Sequence, residues 1–393
     1  MAVNYRSRNQ ILVAKPEAAS GTEESPTVSA NAVKAKFPIP WGADFQTLQT
    51  DYTQASLSET APVMSGGGVA MRPGCILKGA GTGGQAPEYG PLLRACGFSQ
   101  TLMASAVTGT AQAGAAGTIT LAAGASSTTD LYKGMPIYIT GGTGSGQKNV
   151  IKSYNGTTKV ATVENTWSVT PDNTSVYSIP ANAIYRPVST GLETVTIHMY
   201  QRHNDGSSNA RKRRLVGGAG TFSIALQALQ LAAIEFSIMG LLPAAPSDVA
   251  DPGAPTYQSQ DPEPFMNADA YLGGAAVQFT DFGFDLGAQV DRFPNPAATY
   301  GYDAAQILGR APTGRITPNL VAVASRDAFS DWIASTERAL WLNWGSAAGK
   351  RVSMWLPAIR YTGAEPTDIR GYAGEALPFR SVSADGEIWL CIH

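Results

Sequence analysis

The sequence predicts a mainly β protein: a β-sandwich with one packed helix and a small all-β module inserted into it. Three observations carry that prediction. Period-two alternation of apolar and polar residues runs through three stretches between Thr194 and Met239. Gly, Ala, Ser and Thr are abundant while charged residues are only 15% of the chain, a composition for short strands and many turns. Between Ser105 and Pro180 Lys and Arg thin out, and Gly, Thr and Ala dominate. The expected organisation is a main β domain over 1–104 and 181–393, with an N-terminal arm over about 1–30, and a module over 105–180.

The alternating stretches organise the rest. In Thr194–Tyr200, Val195, Ile197 and Met199 oppose Thr194, Thr196 and His198. In Thr221–Gln227, Phe222, Ile224 and Leu226 oppose Ser223, Ala225 and Gln227. In Ala233–Met239, Ile234, Phe236 and Ile238 oppose Glu235, Ser237 and Met239. Such strands pack one face on a core and present the other to water or to a partner. The second face here carries no Lys or Arg. The short Ala228–Gln230 link suits a hairpin between the last two strands.

From the N-terminus, residues up to about Gln54 are polar, with Pro and Ser between short apolar pieces, so Lys15–Ala30 reads as a loop or mobile arm. Phe37–Trp41 is extended by its prolines. Gly79, Gly81 and Gly84 match G-x-G-x-x-G ahead of a short helix over Pro87–Cys96. Pro87 and Gly90 break the helix start where a pyrophosphate would sit, and no parallel unit follows, so the glycines mark a turn. The module has candidate strands at Gly117–Leu121, Pro136–Thr140, Lys148–Tyr154, Lys159–Val163 and Thr174–Ile179. Asn155–Gly156 predicts a tight hairpin turn, and Gly141–Gly146 a hairpin tip, since no Gly-Lys-Ser/Thr end completes a phosphate loop. Insertions of this kind are tolerated where chain ends lie close together at a surface.

His203–Arg214 reads as a long polar loop ending in Arg211, Lys212, Arg213 and Arg214. Those four cations fit a solvated tip, a contact with an acidic patch on another protein, or DNA, though no aromatic residues interleave for stacking. Ala244–Pro264 is a Pro- and Asp-rich connection. Ala276–Asp285 is a strand bulged at Asp281, with Tyr302–Gly309 and Gly314–Thr317 beyond it. Ser325 caps a helix over Arg326–Thr336 whose Phe329, Trp332 and Ile333 form a buried stripe. Strands at Ala339–Trp344, Arg351–Leu356, Leu377–Val382 and Glu387–Ile392 close the chain.

Little points to catalysis or cofactors. Net charge is −2, which gives no general attraction to nucleic acid or anionic lipid and favours self-association. The three cysteines, Cys75, Cys96 and Cys391, form neither a metal pattern nor a disulfide framework, as suits a reducing cytosol. None of the three histidines, His198, His203 and His393, pairs at metal-ligand spacing. No G-x-S-x-G elbow occurs, and Asp281 and Asp285 lack a cleft that would separate their pKa values. No signal peptide or membrane span is visible. The expectation is a non-enzyme without cofactor.

A resemblance adds to this. Leu192–Gln201 (LETVTIHMYQ), Lys212–Gly217 (KRRLVG) and Gly220–Gln227 (GTFSIALQ) resemble the tail tube (major tail) proteins of long-tailed, non-contractile bacteriophages. Pro87–Gly97 (PEYGPLLRACG), Pro255–Gln260 (PTYQSQ) and Phe284–Gly287 (FDLG) extend the likeness to most of the chain outside the module. The resemblance implies a β-sandwich with a flanking helix, hexameric rings stacked into a tube, and an inner barrel of strands from every subunit. It implies a virion protein assembled in the bacterial cytoplasm. Its partners would be itself, the terminator, tape measure and tail-tip proteins, and double-stranded DNA in passage. On that basis Thr194, Thr196, His198, Ser223, Ala225, Gln227, Glu235 and Ser237 are lumen-facing candidates. A cation at such a position would recur in every copy, and DNA would grip it. Arg211, Lys212, Arg213 and Arg214 become inter-ring candidates, the N-terminal region an arm, and the module an outer-surface decoration. The alternatives are a tail-tip or distal tail ring protein of the same fold, and a glycan-binding tail protein acting through the module.

Overall fold

The computed structural model describes residues 5–203 and 209–393. The fold is mainly β and antiparallel throughout. The elements used below are β1 (Tyr5–Pro16), α1 (Gly90–Ala95), β2 (Phe98–Met103), β3 (Asn182–Pro187), β4 (Val195–His203), β5 (Asn209–Gln227), β6 (Ala233–Leu241), β7 (Phe279–Asp285), β8 (Thr313–Pro318), α2 (Ala328–Ile333), β9 (Arg338–Trp344), β10 (Val352–Tyr361), β11 (Tyr372–Ser381) and β12 (Trp389–Ile392). Other strands are given by their residues.

The long strand β5 joins two parts of the sheet. Its first half pairs with β4, which pairs with β1. Its second half lies between β6 and β7. From β7 the sheet continues through β8, β11 and β10 to β12, β3 and β2. The crossing point is a bulge: register slips between Val195 and Ile197 on β4, opposite Gly218 and Leu215, and Gly217 has φ of 60°. Only glycine takes that conformation without strain. One core then collects Leu12, Ile197, Leu215, Phe222, Phe236, Phe284, Leu342 and Leu356, with Leu92 and Leu93 of α1. The expected bulge in the Ala276–Asp285 strand occurs, as a slip between Phe279 and Phe282 against β8.

Several expectations give way. The N-terminal stretch is not a free arm: β1 pairs along β4 from Tyr5 to Pro16, and Ile11–Ala14 are buried. Both faces of β1 are covered, Leu12 and Ala14 by the main core and Ile11 and Val13 by a smaller cluster with Tyr200 and Ala210. It therefore lacks the alternation that betrays a half-buried strand. Met1–Asn4 lie outside the described residues. The Phe329, Trp332 and Ile333 stripe is exposed rather than buried; only Ala328 of α2 is covered. Asp327 caps this helix, its carboxylate accepting from the Ser330 N–H at 2.9 Å, and the packed helix is α1 instead. Asn155–Gly156 opens a longer loop, where the Asn155 side chain accepts from the N–H groups of Thr157 and Thr158 at 2.9 and 3.0 Å.

The module is a separate seven-stranded sheet built only from residues between Val107 and Ile179. It sits at the tip of the β2–β3 hairpin, where Met103 and Asn182 face each other across one rung. It is not loosely attached. Its apolar core (Met135, Ile137, Val150, Ile151, Tyr177) is continuous with Ile184, Trp341, Trp355, Trp389 and Cys391 of the main domain. The Arg186 guanidinium donates to the carbonyls of Leu131 and Lys133 at 2.7 and 3.0 Å, over the Trp389 ring. Among the described residues no helix is long and apolar enough to cross a membrane.

Candidate functional site

The polar sides of the three alternating strands divide into two sites. In antiparallel ladders, directly paired residues point to one side. On β5 and β6 that side is open: Ala225, Gln227 and Glu235 are exposed, and Ser223 and Ser237 half-buried. The register extends the face sideways. One row runs Gly74, Glu235, Ser223, Asp285, Thr313, Arg380; the next runs Ala233, Ala225, Gly283, Arg315, Pro378. Gln227 pairs with Asp281. A strip of β6, β5 and β7 is therefore neutral to acidic, and Asp281 and Asp285 belong to it. They lie four residues apart along an extended strand, roughly 13 Å, so they stand as separate charges. The Asp281 carboxylate accepts from the Thr317 hydroxyl at 2.9 Å, and that of Asp285 from the Gly287 N–H at 2.8 Å.

The strip has basic margins that the three stretches do not reveal. Arg315 and Arg380 bound it beyond β7. On the other side Lys36 and Arg72 line a groove shared with Ser223, Glu235, Ser237 and Asp285. Nor is the hairpin the edge of its sheet. β5 is flanked by β7, and β6 by Val69–Met71 and Gly74–Ile76. Neighbouring copies cannot pair with β5 or β6 directly.

Thr194, Thr196 and His198 do not belong to this open face. All three are buried, because the chain after β1 folds back over β4. The Glu17 carboxylate collects four donors there. Its Oε2 accepts from the Thr194 hydroxyl at 2.6 Å and the Gly21 N–H at 2.8 Å. Its Oε1 accepts from the Thr196 hydroxyl at 2.8 Å and the Gly217 N–H at 2.7 Å. This buried carboxylate thus holds the glycine bulge at the crossing of β5. Next to it His198 Nε2 donates to Glu23 at 2.9 Å, while Nδ1 is buried with no hydrogen bond. Burial, reinforced by the Lys212 and Arg214 cations, pushes the His198 imidazole down to about 3. The ring is neutral at ordinary pH.

The four cations are likewise not on a loop. Arg211–Arg214 lie in β5, paired with Gln201, Tyr200, Met199 and His198 of β4. Residues 204–208, the rest of the expected loop, lie outside the described residues. Arg211 pairs with Asp248 at 3.3 Å and stacks over Tyr5. Lys212 and Arg214 face Glu23 at 3.9 and 3.6 Å, and Arg213 lies over the Trp41 ring, 5.7 Å from its centroid. Aromatic rings do interleave with the cations, Tyr200 of β4 beside Lys212 and the others from β1 and the segment before Gly42. A local window of sequence has no means of showing it.

The stretches Pro87–Gly97 and Pro255–Gln260 also meet. Gln258 accepts from the Glu88 N–H at 3.2 Å and donates to the Ala86 carbonyl at 2.8 Å. Buried Lys78 donates to the carbonyls of Gln258 and Gln260 at 3.3 and 3.2 Å. Among the described residues no group of three or more His, Cys, Asp or Glu side chains comes together as a metal site. The fold and strip define an antiparallel β protein whose distinctive surface is a cation-free band between basic margins. No protein-family model matches this chain, and no curated protein matches it.

Proposed function

We propose that this chain is a structural subunit that assembles with copies of itself into stacked rings, forming a phage tail tube through which DNA leaves the particle. The observation that carries the reading is the strip on β6, β5 and β7: Ser223, Ala225, Gln227, Glu235, Ser237, Asp281 and Asp285 face outward with no cation among them. Repeated around an axis, that surface repels or ignores a polyanion, whereas each Lys or Arg would be multiplied by the symmetry. The margins give the strip an orientation. With the strip turned to the lumen, Lys36 and Arg72 on one flank and Arg315 and Arg380 on the other fall towards neighbouring copies. Because β5 and β6 are already paired on both sides, subunits abut through wider sheet margins and not through hairpin edges.

The module's aromatic side chains do not favour a glycan-binding role: Tyr132, Tyr154, Trp167 and Tyr177 are buried in its own core, and half-buried Tyr138 faces Asn343 and Arg351 of the main domain, so they are not laid out as a stacking platform. The test is direct. Negative-stain microscopy of the purified chain should show rings or tubes. Gln227→Lys should leave assembly intact and slow DNA ejection from particles, and ejection at the wild-type rate would remove Gln227 from the lumen.

A further inference from the structure

One segment leaves the main domain at Phe45, whose ring packs on Tyr300 and the main core. Beyond that residue Thr47–Leu48 and Val63–Met64 form a two-stranded sheet that pairs with no other strand among the described residues. An isolated hairpin is marginal in water. Every residue from Asp51 to Glu59 is exposed, and the arm shows Leu48, Tyr52, Leu57, Val63 and Met64 to solvent, Leu57 completely. Its charges are acidic only: Asp51 and Glu59, with no Lys, Arg or His between Phe45 and Ser65.

A surface of the opposite character lies beside the strip. The segment Phe37–Pro40 walls the groove that contains Lys36 and Arg72. Phe37 is 46% exposed, and Arg8 lies over its ring at 5.7 Å. Lys34 is exposed on the same segment. Among the described residues Arg8, Lys34, Lys36 and Arg72 make no ion pair. An apolar ridge carrying four cations outside any ion pair among the described residues is the complement of an apolar arm carrying only acids. The acidic groove wall, Glu235 and Asp285, steers such an arm onto the cationic side.

We propose that the Phe45–Ser65 arm of one copy docks on the Phe37–Pro40 ridge of a second copy. The proposal rests on the self-assembly reading and deepens it, by naming the segment and the surface that meet. Tyr52 and Leu57 cover Phe37 and the two prolines, and Asp51 and Glu59 approach Lys34, Lys36 or Arg72. Occupation of the groove by a neighbour also covers Lys36 and Arg72, the basic margin on that flank of the strip.

Two chains, each with one added exposed cysteine, test it, since the native cysteines are all buried. Leu57→Cys and Phe37→Cys chains are mixed, assembled and oxidised. A disulfide-linked dimer is expected on a non-reducing gel. Asp51→Lys with Glu59→Lys should cut its yield roughly tenfold, about 1.4 kcal/mol, and Lys34→Glu with Arg72→Glu in the receiving chain should restore it. Tubes visible by microscopy without the linked dimer overturn the docking and leave the tube reading standing. A link formed only within a chain carrying both cysteines overturns it in favour of fold-back, and a link to a different tail protein overturns it in favour of that partner. Absence of any assembly, in solution and in particles, removes both proposals together.

Discussion

Removing the module is the sharpest test of how this chain is built. Met103 and Asn182 face each other across one antiparallel rung, so replacing Ala104–Ala181 by a two-residue Asn-Gly turn closes β2 and β3 without moving either strand. Backbone geometry therefore permits the excision. Side-chain packing opposes it. Trp341 and Trp355 are 0% and 1% exposed, and Trp389 8%, and all three belong to the core that the module completes. An aromatic side chain buries about 150–250 Å². If the module covers about half of each, roughly 300 Å² of apolar surface returns to water, or about 7 kcal/mol at about 25 cal/mol per Å². That is an upper figure, yet it is comparable to the whole stability of a typical protein, about 5–15 kcal/mol. Arg186 also loses both carbonyl acceptors. The excised chain should be largely insoluble or melt far below the intact protein by circular dichroism. A companion excision carrying Trp341→Thr, Trp355→Thr and Trp389→Lys should recover soluble yield. An excised chain with all three tryptophans that stays soluble and melts within about 3 °C of the parent would refute a shared core.

Other outcomes follow from the buried polar sites. Glu17→Ala orphans the Thr196 hydroxyl and the Gly217 N–H and should lower stability by about 3–5 kcal/mol in urea titrations; an unchanged midpoint would show that the carboxylate does not hold the bulge. Glu17→Gln should cost about 1–2 kcal/mol, because an amide NH2 in place of Oε2 meets the Gly21 N–H donor head-on. His198 and His393 are both held at about 3, chiefly by burial, so below about pH 6.5 the unfolded chain binds protons that the folded chain refuses. Stability should therefore fall on acidification from about pH 6.5 towards 4.5, by up to about 1.4 kcal/mol per pH unit for each ring. In denaturant melts across that range, His198→Gln should flatten part of the slope; an unaltered slope would locate the protons elsewhere. Ile333 is 71% exposed on α2, so Ile333→Ser should shift monomer stability by no more than about 0.5 kcal/mol, where a core position would lose several times that in the same melt.

Alternation along Thr194–Met239 is enough to locate β4, β6 and the second half of β5, and to say which of their apolar residues face the core, because a half-buried strand must repeat every second residue. The inserted module announced itself through composition, and most strands in the last third through short apolar runs between turn residues. What covers the other face of a strand leaves no such trace. Thr196 and Ser223 look alike in sequence; one is buried under a carboxylate 179 residues away, the other lines an open groove. β1 was hidden for the opposite reason, being covered on both sides. Phe329, Trp332 and Ile333 keep a helical stripe whether or not anything packs on it, and Arg211–Arg214 read as a loop because their partners, Asp248, Glu23 and Trp41, are distant in the chain. Local periodicity records how a backbone repeats and which side is apolar. Only the tertiary fold decides which polar side meets water, since that depends on chain segments brought in from far away.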